Sequence, residues 1–157
     1  MISLRRTGLS AALLLTPLLS LAALAPAPAS AAVTGSCSGT EIDTAAMKSG
    51  SHTYGTLHLY YNSSTGKNCA KATNVTGAAR DMSVWVLRCF GTSGPVASRC
   101  NSQDGPVQNV NYDSGHYSSY AGPVNTKGSA AGTCINAGST IEVGSITATA
   151  QIYGHCG

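Results

Sequence analysis

The chain has 157 residues, of which 43% are hydrophobic and only 10% are charged, and it contains 18 glycines. Nine basic against six acidic residues give a net charge of +3, and the sequence contains no basic patch. This composition predicts neither nucleic acid nor an acidic surface as a partner, because both require clustered Lys and Arg. Uncharged polar residues and glycine-rich turns instead favour an extracellular β domain.

The first 31 residues have the organisation of a secretory signal peptide. Arg5 and Arg6 precede an apolar run that ends at two prolines, and the A-S-A stretch ending at Ala31 supplies a cleavage site. The run is short, so we expect ordinary secretion and no membrane anchor. Residues 32–157 should form a single domain with its own core. Loss of the two arginines leaves seven basic against six acidic residues, a net charge of +1.

The next segments indicate a hairpin. Residues 41–50 are the one weak helix candidate. The segment 56-TLHLYY-61 then alternates apolar and polar residues, which is the pattern of a strand with one buried face. A polar turn follows, and the run 67-KNCAKATNV-75 returns as the second strand.

A strong strand follows at 82-MSVWVLRC-89. Alternation places Trp85, Leu87 and Cys89 on one face of this strand. We therefore predict that the single tryptophan packs in the core beside a disulfide sulfur.

The C-terminal half completes an all-β pattern. Residues 116–124 predict an edge strand, because Pro123 has no N–H to donate to a strand ladder. The segments 139–143 and 145–153 alternate clearly and predict two more strands. About six or seven short antiparallel strands predict a sandwich or a barrel.

Six cysteines follow the predicted signal peptide, and an even number in a secreted chain predicts up to three disulfides. Cys89 and Cys100 flank a loop containing Gly and Pro, which favours a Cys89–Cys100 bridge. For the others we prefer Cys37–Cys69 and Cys134–Cys156, and a Cys37–Cys156 bridge is the alternative. The spacings lack the C-x2-C or C-x4-C pairs of a metal site, so we expect no metal and no cofactor.

No catalytic motif is complete. The stretch 90-FGTSGPV-96 resembles the nucleophile region of chymotrypsin-like proteases, but it lacks the preceding Asp and one Gly. Asp113 and His116 are close enough in sequence to form a dyad. No nucleophile accompanies them, so we expect no enzyme, with a hydrolase using this pair as the alternative.

Tyrosines near strand ends, beside Asn and Ser, have the composition of a polar recognition surface. We interpret Tyr60, Tyr61, Tyr117 and Tyr120 as a candidate binding site for spore or cell-wall polysaccharide. Ordinary cross-strand aromatic packing is the competing interpretation. A third possibility is a small secreted protease inhibitor that presents the loop 89–100. The sequence leaves the oligomeric state open.

Four segments together suggest a family: 54-YGTLHLYYNSSTGKNCA-70, 120-YAGPV-124, 133-TCINAGS-139 and 154-GHCG-157. They resemble the spore-associated protein A family of filamentous spore-forming bacteria, over about residues 37 to 157. The resemblance implies a small secreted, extracellular protein found with spores and in culture fluid. It implies a non-enzymatic protein and brings no catalytic residues to this chain.

Overall fold

A computed structural model describes residues 35–89 and 110–156 of the chain. The described residues form an all-β domain of eight strands in which every strand pair is antiparallel. The strands are β1 (Thr40–Ser49), β2 (His52–Asn62), β3 (Lys67–Asn74), β4 (Arg80–Arg88), β5 (Asn111–Tyr117), β6 (Tyr120–Asn125), β7 (Ile135–Val143) and β8 (Ile146–Gly154).

The eight strands form one sheet in the order β5-β4-β7-β8-β1-β2-β3-β6. The two end strands, β5 and β6, are joined by a short turn and pack against each other, so the sheet curls into a nearly closed barrel. Side chains bridge this seam: the Gly122 N–H donates to Asp113 Oδ2 over 2.6 Å, and Asn111 Nδ2 donates to the Asn125 carbonyl. The prediction of a sandwich or barrel is therefore resolved as a barrel. Pro123 lies in end strand β6, as predicted for an edge strand, but the predicted strand over residues 116–124 is divided between β5 and β6 by the turn at residues 118–119.

The helix candidate at 41–50 is wrong, because these residues form β1. β1 pairs with β2 from Thr40↔Tyr61 to Ser49↔His52, and it buries Met47 completely. Its Ala, Glu and Lys residues favour helix intrinsically, but pairing and burial outweigh that preference. This strand and the separate β5 and β6 raise the count to eight, against the predicted six or seven.

The predicted hairpin at 56–75 is confirmed as β2 and β3, which pair from Gly55↔Asn74 to Asn62↔Lys67. Asn62 organises the turn, because its Oδ1 accepts hydrogen bonds from the N–H groups of Ser64 (3.0 Å) and Thr65 (3.2 Å). Gly66 closes the turn at φ +65°, a left-handed conformation that glycine adopts without steric cost.

The strand at 82–89 is confirmed as β4, but its two faces are reversed relative to the prediction. Met82, Val84 and Val86 fill the barrel. Trp85 and Leu87 lie on the outer face and pack with Cys89 in a second, smaller cluster. The alternation was predicted correctly, whereas the assignment of the Trp85 face to the main core was wrong. Both faces of β4 carry apolar side chains, so alternation alone could not decide between them.

The barrel core is built from small and branched side chains. Alanines face larger residues on neighbouring strands, as in the pairs Leu57↔Ala72 and Leu59↔Ala70, so small and large side chains fill the interior together. The largest fully buried apolar side chains are Met47, Leu57, Leu59, Val84, Val86, Ile135 and Ile141.

Two disulfides are present among the described residues: Cys37–Cys69 and Cys134–Cys156. They are the two pairs preferred from the sequence, and they leave no place for a Cys37–Cys156 bridge. The first ties the segment before β1 to β3, and the second ties the start of β7 to the chain after β8. The predicted partner of Cys89 is Cys100, which lies outside the described residues, as do the predicted signal peptide and the 90–96 stretch.

None of the described residues forms a helix with the length and apolar character needed to span a bilayer.

Candidate functional site

The four tyrosines predicted as one binding surface do not lie together. Tyr60 is on the outer face of β2, whereas Tyr61 follows Leu57 and Leu59 on the inner face and lies at one end of the barrel. Tyr117 is only 7% exposed and belongs to the core. Tyr120 pairs with Thr73, and its ring lies beneath the Lys71 ammonium at 3.9 Å. Of these four tyrosines, only Tyr60 and Tyr120 lie on the outer surface. They pair with Cys69 and Thr73, which are four positions apart on β3.

Tyr117 is part of the barrel seam. Its hydroxyl donates to Asp113 Oδ1 over 2.8 Å, and burial together with this carboxylate raises the pKa of Tyr117 to about 12. Asp113 therefore points inward, where it also accepts from the Gly122 N–H. His116 points outward and pairs with Asp81 at 2.9 Å. The dyad predicted between Asp113 and His116 is not formed. Odd-numbered positions of β5 face the barrel interior and even-numbered positions face outward, so these two side chains lie on opposite sides of the sheet.

A groove on the outer face of β4, β5 and β7 is the first candidate site. It has a volume of about 320 Å³. Strand alternation brings its side chains together, because Ser114 pairs with Ser83, and Ser83 pairs with Thr140. The Ser83 and Thr140 hydroxyls hydrogen-bond each other at 2.7 Å. We call this site the outer groove, and its lining includes Asp81, Ser83, Tyr112, Ser114, His116, Thr140 and Glu142.

Aromatic rings flank the hydroxyl groups of the outer groove. Tyr112 is 59% exposed, a high value for so large a side chain, and it pairs across the strands with Trp85. The Trp85 indole lies over Gly138 of β7: a Cβ at that glycine would come within 2.2 Å of Trp85 Cζ2. The glycine thus lets the indole lie flat on the sheet beside Tyr112. Tyr153, on the neighbouring strand β8, is 47% exposed.

A second candidate site lies at one end of the barrel, between the start of β1, the β2–β3 turn region and the tail after β8. It has a volume of about 520 Å³ and a mainly apolar lining. We call it the mouth pocket; it is lined by Ile42, Tyr61, Asn68, Ala130, Ala131, Gly132 and His155. A β-bulge in β1 between Glu41 and Asp43 leaves Ile42 without a partner on β2 and aims it at this end of the barrel.

Three histidines each meet a carboxylate. Besides His116 with Asp81, His155 Nε2 lies 2.9 Å from Asp43 Oδ2, and His58 Nδ1 lies 2.8 Å from Glu41 Oε2. The hydrogen bond from His155 lowers the pKa of the Asp43 carboxyl, and the one from His58 lowers the pKa of the Glu41 carboxyl. The His116–Asp81 pair is largely exposed and the other two pairs are partly exposed, so each contributes little to stability.

His58 also completes a carboxylate–imidazole–hydroxyl array. Its Nε2 lies 3.1 Å from Thr73 Oγ1, while its Nδ1 contacts Glu41. This order of groups matches that of a hydrolytic triad. However, Thr73 Oγ1 also lies within hydrogen-bonding distance of the Thr56 carbonyl, at 3.2 Å, and the array lines neither the outer groove nor the mouth pocket. Its geometry is that of a polar ladder across three neighbouring strands.

The described ranges contain no group of three or more His, Cys, Asp or Glu side chains that could hold a metal ion.

Sequence reasoning did not identify either site. Tyr112, Ser83 and Thr140 come from three strands, and their proximity depends on the order β5-β4-β7, which a single sequence does not reveal. The alternation of Tyr112, Ser114 and His116 on one face of 111–117 was a usable signal for half of the outer groove. The mouth pocket depends on loop 126–133 and on the path of the tail, for which no sequence pattern exists.

Comparison with known proteins supports the resemblance seen in the sequence. The chain is 40% identical over 88 residues to spore-associated protein A of Streptomyces coelicolor, a match that covers 55% of this chain and 46% of the relative. The matched region thus spans about half of the relative's length. No protein-family model matches the chain. No solved structure matches it either. The predicted resemblance is therefore confirmed: this chain is similar to spore-associated protein A.

Proposed function

We propose that this chain is a secreted, non-enzymatic protein of the spore or cell envelope that binds polysaccharide through the outer groove. The observation that carries the proposal is Tyr112, a 59% exposed ring beside a row of strand hydroxyls. A single exposed aromatic is ordinary on a protein surface, so the combination of this ring with the hydroxyl row is what favours a binding site. A flat ring presents an apolar face to the C–H groups of a sugar, while nearby hydroxyls exchange hydrogen bonds with the sugar hydroxyls.

The hydroxyl row fits this ligand class. Ser83, Ser114 and Thr140 each combine a donor with two acceptor lone pairs, so they match the mixed hydrogen-bonding groups of a sugar ring. The Ser83–Thr140 hydrogen bond holds two of these hydroxyls in place before binding. Such preorganisation lowers the entropy lost on binding.

The charge of the outer groove favours neutral or amino-bearing sugars. Asp81 and Glu142 are both exposed and supply negative charge, and His116 is the only basic side chain in the lining. The carboxylates would repel anionic polymers. This repulsion selects against anionic ligands but does not strengthen the binding of neutral ones. Chitin-type and neutral polysaccharides are therefore the class we expect.

Secretion and surface location rest on independent support. Two disulfides join described residues of the domain, and disulfides persist in oxidising, extracellular environments. The similarity to spore-associated protein A points to the same setting. The non-enzymatic assignment is favoured because Asp113 and His116, the residues of the hydrolase alternative, face opposite sides of β5.

Co-sedimentation of the oxidised protein with spores, cell wall, chitin and cellulose tests the proposal. We expect saturable binding to at least one insoluble polysaccharide. Tyr112→Ala should weaken it roughly tenfold, since an aromatic contact contributes about 1.5 kcal/mol. Tyr60→Ala is the matched control, because Tyr60 lies on the outer face of another part of the barrel. If Tyr60→Ala loses binding and Tyr112→Ala retains it, the binding site lies on β2 and the outer groove is excluded. The absence of saturable binding to any polymer would refute the proposal.

A further inference from the structure

We propose that the mouth pocket is a second binding site, separate from the outer groove, and that it takes a small, uncharged ligand carrying an amide group and a branched apolar side chain. The proposal does not depend on polysaccharide binding, because the two sites share no lining residue. A volume of about 520 Å³ is within the range of small-molecule sites in proteins.

Asn68 is the strongest indication of a ligand. It is only 3% exposed, yet its side chain lines the mouth pocket. Its backbone is fully engaged, since its N–H donates to Thr126 Oγ1 (3.2 Å) and its carbonyl accepts from the Thr126 N–H (2.8 Å). Within residues 35–89 and 110–156, no side chain or backbone group hydrogen-bonds its carboxamide. The carboxamide is therefore largely buried at the wall of the mouth pocket, where its donors and acceptor can hydrogen-bond a ligand that enters.

The backbone at His155 is the second indication. His155 has φ +50°, the one non-glycine residue of the described chain in the left-handed region. Such conformations are strained in non-glycine residues and persist where the surrounding structure holds them. His155 lines the mouth pocket, its Nε2 lies 2.9 Å from Asp43 Oδ2, and the next residue in the chain, Cys156, is bridged to Cys134.

The lining defines the ligand chemistry. The Asn68 carboxamide offers one acceptor and two donors, which pair reciprocally with an amide N–H and C=O. Tyr61, which lines the same pocket and pairs with Asn68 on the neighbouring strand, has a phenol that can donate or accept a hydrogen bond. The His155 imidazole, whose Nε2 lies 2.9 Å from Asp43 Oδ2, adds a third polar group to the lining.

The remaining lining of the mouth pocket is apolar. Ile42 and the backbone-rich segment of residues 130–132 form this part, which suits a compact branched side chain. The lining contains no lysine or arginine and no carboxylate, so a charged ligand would leave its charge unpaired.

N-acetyl-leucinamide is a suitable probe, because it has two amides and one isobutyl group. Titration of the isotopically labelled protein, followed by two-dimensional amide NMR, should show millimolar binding. We expect the largest shifts at Ile42, at residues 130–132 and at the side-chain amide of Asn68. Methyl 4-methylpentanoate, which has the same apolar body and no amide, should bind at least tenfold more weakly.

Two variants make the test specific. Ala131→Trp places a large side chain at the exposed rim and should abolish the shifts, whereas Ala78→Trp, at an exposed alanine elsewhere, should leave them unchanged. Tyr61→Phe should weaken binding severalfold without changing the fold. The proposal is overturned if the probe shifts no resonance of the mouth pocket, if Ala131→Trp binds as the parent does, or if the amide-free ester binds equally well. Polysaccharide binding is measured separately, so failure here leaves the outer groove proposal standing.

Discussion

The outer groove and the mouth pocket are built on the same barrel but have opposite chemistry. The outer groove lies on the face of regular strands, and its lining is hydroxyl groups, carboxylates and one imidazole with an exposed ring at the side. The mouth pocket lies where strands begin and end, and its lining is mainly apolar, with a buried carboxamide. The difference arises because strand alternation sends polar residues outward, whereas a barrel end exposes the edge of the core.

This contrast indicates how one small barrel can hold two sites of different construction. The outer groove needs only the correct order and register of three strands. The mouth pocket needs a bulge at Ile42, the loop over residues 126–133 and a disulfide-tethered tail. Changes to the connections should therefore affect the mouth pocket more than the outer groove.

Removal of the Cys134–Cys156 disulfide should have the largest effect. The bridge spans 22 residues, and the chain-entropy model predicts a loss of about 3–4 kcal/mol in the free energy of unfolding for Cys134→Ala/Cys156→Ala. Urea unfolding should show the midpoint shift. In conditions where the variant remains folded, N-acetyl-leucinamide binding should be lost because His155 is no longer tethered, and polysaccharide binding should persist. An unchanged midpoint, or equal losses at both sites, would contradict this distinction.

Gly138→Ala should displace the Trp85 ring beside the outer groove. The new Cβ would lie 2.2 Å from Trp85 Cζ2, so the indole must move away from the sheet, at a cost of about 1–3 kcal/mol. Because Trp85 is the only tryptophan, its fluorescence spectrum should shift. The control is Gln151→Ala, an exposed residue directly opposite on β8, which should leave the spectrum unchanged. A native spectrum in Gly138→Ala would mean that the indole does not lie on the glycine.

Alkaline pH should weaken the barrel seam that joins the two ends of the sheet. The pKa of Tyr117 is raised from 10.0 to about 12, so the folded state favours the protonated phenol. This stabilisation is present in full below pH 10 and is lost as the pH rises from 10 to about 12. The free energy of unfolding should fall over that interval in the parent, and less steeply in Tyr117→Phe. Identical slopes in the two proteins would exclude Tyr117 as the responsible group.

His58→Ala should have the smallest effect. Hydrogen bonding to His58 lowers the pKa of Glu41 below its ordinary value of 4.5. The resulting stabilisation is therefore present above pH 4.5 and is lost as the pH falls through the lowered pKa. Because the pair is half-exposed, we expect a loss below about 1 kcal/mol at neutral pH, and no difference from the parent in acid. A much larger loss would give the Glu41–His58–Thr73 array a role beyond a surface ladder.

Local patterns predicted the fold better than they predicted the sites. The hairpin of β2 and β3 follows from alternation and from the Asn62 turn, both of which are local. The strand β1 was misjudged because its residues favour helix and only pairing with β2 reveals its structure.

The four tyrosines predicted as one surface do not lie together, for a related reason. Tyr117 is the last residue of β5 and turns inward to bond Asp113, a contact that requires the barrel to close. The outer groove and the mouth pocket likewise depend on strand order and on connections between strands. These are non-local features, and the single sequence contains no periodic signal for them.

The most direct test of the outer groove is amide NMR of the labelled protein during titration with a soluble chito-oligosaccharide. The account predicts that the largest shifts occur at Ser83, Tyr112, Ser114 and Thr140, with little change at residues 130–132 of the mouth pocket. Shifts centred on Tyr60 and Tyr120, or no shift with this or any neutral oligosaccharide, would contradict it.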